Sequence, residues 1–321
     1  MNTVSIAMAT YNGIKYIGEQ LDSLRAQTLP PDEVIIADDK STDGTYEFCR
    51  DYIERYDLTG WRVYQNEHNI GVRKNFRDVM AKCTGEYIFT CDQDDIWMPE
   101  KISVMLSVIR ERPEIRLLAS NYVAIMDGKT VRVPVKNVSR NDGEVIPFKL
   151  QESGLMPMRP GCTYCFRREL LNKFNVMDID TAIHDAMLWG YAASSDSLYL
   201  LNRQLIFWRR HDNTVTGTAF SHYPGIEQRI QDTYENEKIY HKFLDAAEGL
   251  EMPAQNVKFM NEIINCQGRR RDMLAKRSVL RAALFVMKNM KYYPTLRNAL
   301  SDIYAMIFLK QNEATTNNHE K

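Results

Sequence analysis

Three acids in four residues, Asp92-Gln93-Asp94-Asp95, directly follow the apolar run Tyr87 to Cys91. One of them could cap a helix, since carboxylates are favoured at a helix N-terminus. Three together repel one another unless a cation lies among them. Carboxylate oxygens are hard ligands that select Mg2+ or Mn2+ over zinc, and such an ion keeps open positions that phosphate oxygens fill. Its chemistry would be to neutralise charge on a departing phosphate oxygen. A further acid, Asp185, follows His184 and precedes Ala186-Met187-Leu188-Trp189. A carboxylate there could take the proton of an attacking hydroxyl, or only cap a helix start. Asp38-Asp39 ends the run Val34 to Ala37, where one acid could cap the next helix and the other face a ligand. His211 follows Phe207-Trp208-Arg209-Arg210. Adjacent strand residues face opposite sides, so only one of Arg209 and Arg210 can assist there.

The elements that carry these residues alternate. Val4 to Ala9 reads as a strand ending in the turn Thr10-Tyr11-Asn12-Gly13, after which Ile14, Ile17, Leu21 and Leu24 recur at helical spacing up to Pro30-Pro31. Val34 to Ala37 is a second strand, and Ser41-Thr42-Asp43-Gly44 opens a helix with Tyr46, Cys49, Ile53 and Tyr56 on one face. Trp61 to Tyr64 and Tyr87 to Cys91 are strands, separated by a helix around Phe76, Val79, Met80 and Cys83. Lys101 to Arg112 is helical, with Ile102, Met105 and Ile109 inward. Such alternation implies an α/β fold with a mainly parallel sheet covered by helices, which binds ligands beyond the carboxyl ends of its strands. Those ends carry Thr10-Tyr11-Asn12, Asp38-Asp39 and the acidic cluster. Arg73 and Lys74 follow a glycine at a helix entry, a natural diphosphate contact or else a solvated face. Farther on, Leu117 to Ala124, Val131 to Val135, Thr163 to Phe166 and Leu198 to Trp208 read as strands, and Thr181 to Ala193 as a helix. From about Glu227 the pattern is helical only.

Composition narrows the partners. The chain of 321 residues is 44% hydrophobic and 26% charged, globular values, and its net charge of −1 argues against nucleic acid. Neither a P-loop nor a G-x-G-x-x-G follows the first strand. Six scattered cysteines read as reduced, buried small hydrophobes. No signal peptide stands out, and no apolar run approaches the roughly 20 residues of a membrane span, so a cytoplasmic protein is expected. From Arg269 to Lys310 there are ten lysines and arginines against two acids, interleaved with Leu280, Leu284 and Met287. That pattern fits peripheral contact with the inner face of the cell membrane. It fits equally a helical cap or an interface in a homo-oligomer.

Taken together, Val4-Ser5-Ile6-Ala7-Met8-Ala9-Thr10-Tyr11-Asn12-Gly13, Asp38-Asp39-Lys40-Ser41-Thr42-Asp43-Gly44-Thr45, Asn69-Ile70-Gly71 and Asp92-Gln93-Asp94-Asp95 resemble glycosyltransferase family 2. Gly71-Val72-Arg73-Lys74-Asn75-Phe76, His184-Asp185 and Arg210-His211-Asp212-Asn213 resemble its bacterial rhamnosyltransferase-like branch. The likeness fades after about Asn213. It implies a GT-A fold: a catalytic domain over 1–217, with a nucleotide-sugar half (1–115) and an acceptor half (116–217). A helical region over 218–312 and a disordered tail over 313–321 would follow. It implies an inverting, metal-dependent transferase that moves a sugar, rhamnose from dTDP-rhamnose first and a UDP-hexose second, onto a glycan acceptor, polyprenyl-linked in some such enzymes. By the same resemblance Thr10, Tyr11 and Asn12 line the donor nucleotide, with Tyr11 stacking on the base and Asp39 bonding base or ribose. Asp92 would meet ribose or metal and Asp94 the metal, with Asp95 beside them. Asp185 would be the general base, His184 its orienter or an acceptor contact, and His211 a metal or diphosphate contact. The sequence departs from the family at Lys40, where a small residue, often glycine, is usual. A sugar-phosphate nucleotidyltransferase would need a Gly-rich basic loop that Ala9 to Gly13 lacks, and a phosphatase would carry its acids after the first strand. A non-catalytic nucleotide-sugar or partner-binding protein is the alternative of a different class.

Overall fold

Mainly apolar strands flanked by amphipathic helices dictate a buried sheet, and among the described residues one of ten strands forms. In the computed structural model, which describes residues 3–133, 141–174, 184–211 and 225–309, β1 (Val4–Thr10), β2 (Glu33–Asp38), β3 (Trp61–Gln65) and β4 (Tyr87–Cys91) are joined by α1 (Ile17–Arg25), α2 (Thr45–Arg55) and α3 (Val72–Lys82). Every residue of β1, β2 and β4 is buried, as expected where helices cover both faces. After β5 (Ile96–Trp97) come α4 (Lys101–Glu111), β6 (Leu117–Met126), β7 (Lys129–Thr130), β8 (Val145–Pro147), β9 (Tyr164–Arg167), α5 (Glu169–Phe174), α6 (His184–Ser194) and β10 (Leu198–Arg210).

The strand order is β3-β2-β1-β4-β9-β6-β10-β5. β1, β2, β3 and β4 pair in parallel, whereas β9 is antiparallel to both β4 and β6. The chain leaves β1 to one side for β2 and β3 and returns on the other for β4, so the order reverses beside β1, where such sheets open a crevice at their carboxyl ends. β10 runs parallel to β6 with register shifts at Gln204 and antiparallel to β5 through Ile206↔Trp97 and Phe207↔Ile96. That last pairing brings the end of β10 beside the residues after β4.

One expectation changes. Residues 131–133 are not strand; instead Asp127 and Gly128, at φ 49° and 72°, make a tight turn, and the return strand is the two-residue β7 directly after it. Ile96 and Trp97, between the acidic cluster and α4, form a short strand because β10 offers them an edge. The parts of the expected elements at 134–135 and 181–183, Asp212-Asn213, and the tail 313–321 lie outside the described residues.

Residues up to 148 with 157–211 make one compact unit, and 149–156 with the helices from 225 make another. The second unit contains α7 (Ile226–Asp245), α8 (Ala254–Ala275), α9 (Val279–Asn289) and α10 (Leu296–Tyr304). The short segment 149–156, which the sequence assigns to the acceptor half, belongs with these helices: Gln151 Nε2 donates to Asn256 Oδ1 at 3.0 Å and Leu155 N to Tyr240 Oη at 3.3 Å.

Candidate active site

Thr10 and Asp38 end neighbouring parallel strands, and the Thr10 hydroxyl donates to Asp38 Oδ1 at 3.0 Å. Asp38 also accepts from Ser41 N at 2.9 Å and Gln65 Nε2 at 2.9 Å. It is therefore the loop-capping member of the acid pair. Its neighbour Asp39, almost fully buried, accepts from Asn66 Nδ2 and Ile70 N on Oδ1 and from Gly71 N on Oδ2, each at 2.9 Å. This carboxylate thereby fixes the loop leading into α3, whose first turn presents exposed Arg73.

The turn after β1 is held by its neighbours. Asn12 adopts φ 49°, a conformation asparagine tolerates better than most, and its Oδ1 accepts from Thr42 N at 2.9 Å. Its own N–H donates to Ser41 Oγ at 2.9 Å, so the Asn12 side chain ties two loops together. The Tyr11 ring, 48% exposed, is left to face solvent at the strand end. Gln93, the middle of the acidic motif, clamps the Tyr11 backbone: Oε1 accepts its N–H at 2.9 Å and Nε2 donates to its carbonyl at 3.0 Å. A Cβ on Gly13 would come within 2.2 Å of Gln93 Oε1, so the clamp requires glycine there.

The acidic cluster divides in two. Asp94 Oδ2 and His211 Nε2 are 2.8 Å apart across 117 positions of sequence. Asp92 and Asp95 lie with Cys162, their ligand atoms within 4.8 Å of one another. Asp95 is 1% exposed; Oδ1 accepts from Arg209 N at 2.8 Å, while Oδ2 is buried with no hydrogen-bond partner among the described residues. Burial, then the charges of Asp95, Asp94 and Asp185, push the Asp92 carboxyl well above the usual range. Burial followed by the Asp94 charge raises Asp95 to about 7. Two carboxyls raised in this way, one with an orphaned oxygen, fit a site completed by a divalent cation. Burial and both carboxylates raise the Cys162 thiol far above its usual value, so it stays protonated and the carboxylates supply the hard ligands.

Several of these contacts are not signalled by motif. Tyr16 stacks on His211, centroids 5.0 Å apart, and Arg209 lies 4.7 Å over the same ring. Arg209 Nε donates to the Asp94 carbonyl at 2.7 Å and its guanidinium pairs with Glu19, whereas Arg210 sits over Trp208 at 4.6 Å. Arg209 is thus the arginine of the pair that reaches the cluster. Lys101 is fully buried, donates to the Cys162 carbonyl at 2.5 Å and lies 3.8 Å over the Trp97 ring; burial lowers it to about 8. Its helical spacing with Met105 and Ile109 is the signal that would have found it. Tyr16, Gln93 and Cys162 have no such signal.

Asp185, in the first turn of α6, accepts from Ala186 N at 2.7 Å, and its charge also acts on Asp92. Gly161 packs against it: a Cβ there would stand 2.9 Å from Asp185 Cβ. His184 is 7% exposed, stacks on Phe76 at 3.8 Å between centroids, and its Nδ1 has no partner among the described residues. Burial lowers its pKa, which leaves a neutral ring. One edge of the sheet therefore collects Thr10, Tyr11, Asn12, Asp39 and the acidic cluster with His211, with Asp185 within reach of their field.

The sequence pattern described as Glycosyl transferase family 2 matches residues 5–174, more than half of the chain. The chain belongs to glycosyl transferase family 2. Among its family relatives, the dTDP-rhamnosyl transferase RfbG of Shigella flexneri is 28% identical over 226 residues, 67% of this chain and 75% of that protein. An uncharacterised protein of Mycobacterium bovis is 42% identical over 113 residues, 35% of this chain and 32% of its own length. This family member thus matches only about a third of that mycobacterial relative. Among solved structures, Staphylococcus aureus TarS 1-349, crystallised with UDP-GlcNAc, superposes at a TM-score of 0.63 and 18% identity, covering 97% of this chain and 92% of that one. The mannosyltransferase PcManGT of Pyrobaculum calidifontis, in complex with GDP-Man and Mn2+, gives 0.54 at 17% identity, covering 95% and 84%. These likenesses are of fold, and the fold is GT-A, a mainly parallel sheet flanked by helices.

Proposed function

We propose that this family 2 member is an inverting glycosyltransferase that takes a sugar from a nucleoside diphosphate, dTDP-rhamnose first, to a hydroxyl of a glycan acceptor. The observation that carries the reading is the Asp94–His211 pair, 2.8 Å apart, beside Asp92 and an Asp95 with a buried, unpartnered oxygen. The rhamnosyl donor is supported by the resemblance to RfbG over two thirds of the chain. In this reading Tyr11 stacks on the base, and Thr10, Asn12 and Asp39 shape the nucleotide pocket, Asp39 through the lone pairs its loop contacts leave. Arg73 meets the diphosphate at the start of α3. Asp94 and His211, with Asp92 beside the unpartnered oxygen of Asp95, would hold Mg2+ or Mn2+, which when bound would stabilise negative charge on the leaving diphosphate. Arg209 braces this group, its backbone N–H on Asp95 and its Nε on the Asp94 carbonyl.

The chemistry left to the chain is positioning and proton transfer. The acceptor oxygen forms a bond to the anomeric carbon as the bond from that carbon to the diphosphate breaks, and the diphosphate leaves with the electron pair. Asp185 takes the acceptor's proton, and neutral His184 orients it or the acceptor. One displacement, with attack opposite the leaving group, inverts the anomeric centre.

Thermal-shift titration with dTDP, UDP, GDP and CDP, with and without Mn2+, tests the reading. At 100 times its Kd a diphosphate adds about 2.7 kcal/mol. One diphosphate should stabilise the protein only with metal, and Asp94→Ala should lose that gain. Asp185→Asn should keep it while transfer falls at least about 100-fold. If no diphosphate stabilises the protein under either condition, the transferase reading fails.

A further inference from the structure

We propose that the outward faces of α9 and α10 dock on an anionic lipid surface. This inference stands apart from the transferase reading, because it rests on other residues and a different ligand. On α9, Leu280, Leu284 and Met287 recur at i, i+4 and i+7, and Leu280 and Met287 are 70% and 69% exposed. On α10, Leu296 and Leu300 face outward, and Phe308 beyond its end is 50% exposed. The opposite faces are already used: Ala282 and Val286 of α9 and Ala299 of α10 are buried in the small cores of the helical unit. A helix pair with an apolar face on both sides needs an apolar environment on the outer one.

Charge decides which environment. Between Val279 and Phe308 the basic residues are Arg281, Lys288, Lys291 and Arg297, and the single acid is Asp302. Asp302 is fully buried and accepts from Arg270, Arg229 and the Tyr293 hydroxyl. Arg281 and Lys288 are exposed on α9 itself. Lys291 reaches Glu262 of α8 at 3.3 Å, a contact open to solvent. The apolar stripe is therefore bordered by one sign of charge. A second copy of this chain packed two-fold on that face would bring Arg281 and Lys288 against their own images, which like-charge repulsion opposes. A bilayer of anionic headgroups accepts both the leucines and the cations.

The structure also narrows the basic region. Arg270 and Arg271 turn inward, to Asp302 and Glu237, while Arg269 is exposed and reaches Asn289 from the surface, so the stripe that joins apolar residues to outward cations is centred on 279–308. No helix of the described residues is long and apolar enough to cross a membrane, and the contact is one of a surface.

The test is co-sedimentation of the full chain with vesicles of phosphatidylcholine alone and of phosphatidylcholine mixed with phosphatidylglycerol. The protein should pellet with the mixed vesicles and stay in solution with the neutral ones. The pelleted fraction should fall several-fold when salt is raised. Leu280→Glu with Met287→Glu should abolish pelleting, and Arg281→Gln with Lys288→Gln should weaken it several-fold. Both pairs are exposed, so an unchanged melting temperature shows that each variant is folded. Failure to bind mixed vesicles overturns the proposal, as does equal binding to neutral ones. So does light scattering that finds a dimer in the native chain and a monomer in Leu280→Glu with Met287→Glu, because a second copy then covers the face.

Discussion

At Lys40 the backbone turns through φ 64°, the left-handed region, just after the Asp38-Asp39 pair. A side chain there costs about 1–2 kcal/mol, and the long contact of Lys40 Nζ to Gln65 Oε1, 3.4 Å and solvent-exposed, returns little of it. This explains why a small residue, often glycine, suits the position: the constraint is on the backbone. Glycine would relieve the strain at an entropic cost of roughly 0.5–1 kcal/mol. Lys40→Gly should therefore raise stability by about 0.5–1 kcal/mol, and Lys40→Val should lower it, both read from urea midpoints. Gln93 makes a related point. It offers no charge to a metal or a phosphate, yet its amide holds the Tyr11 backbone from 82 positions away. The third position of Thr10-Tyr11-Asn12 likewise serves its neighbours, since the Asn12 side chain is spent on Thr42.

Among the elements, the amino ends of the strands carry a polar network of their own. Glu33 at the start of β2, 8% exposed, accepts from Ser5 Oγ at 2.6 Å, Thr84 N at 2.7 Å and Arg62 Nη2 at 2.5 Å. It thereby ties β2 to β1, β3 and the segment before β4. Burial pulls its pKa up, but the hydrogen bonds from Ser5 and Thr84 and the Arg62 charge outweigh that and hold it below the ordinary value of 4.5. A lowered folded-state value means that this stabilisation is complete above the unfolded pKa and is lost as pH falls through the folded one. Glu33→Gln should cost about 1–2 kcal/mol at neutral pH. Its stability should also fall less steeply than that of the native chain as pH drops below 4.5. Urea unfolding across that range checks both, and equal slopes would remove Glu33 from the acid response.

Across the whole molecule, two compact units are organised by different means. The sheet-bearing unit rests on a core running from Val4 to Ile206. The helical unit has small apolar cores and a buried ionic centre in which Asp302 joins α10 to Arg229 of α7 and Arg270 of α8. Burial pulls the Arg270 guanidinium down, but its hydrogen bonds to Asp302, the Asp302 charge and the nearby Tyr293 outweigh that and hold it above its ordinary value. Removing one partner of a buried ionic group leaves the other uncompensated, so Asp302→Ala should destabilise the helical unit by about 3–5 kcal/mol. Far-UV circular dichroism during urea unfolding would show it as an earlier loss of helix.

The sequence alone determined the alternation of strands and helices, and hence the edge on which Thr10, Asp39 and the acidic cluster stand. These follow from local periodicity and from turn residues at the ends of apolar runs, which hold wherever the chain packs. It also exposed the motifs of family 2, which the match over residues 5–174 confirmed. It left the basic region from Arg269 to Lys310 open, because charge and helical period do not tell an inward arginine from an outward one. Only the tertiary structure decided which arginines turn in, that Asp94 meets His211, that Asp95 keeps an unpartnered oxygen, and that Lys101 lies buried beneath the cluster. Those facts depend on strand order, on the register shifts along β10, and on side-chain directions set by distant partners, and none of these leaves a period in the chain.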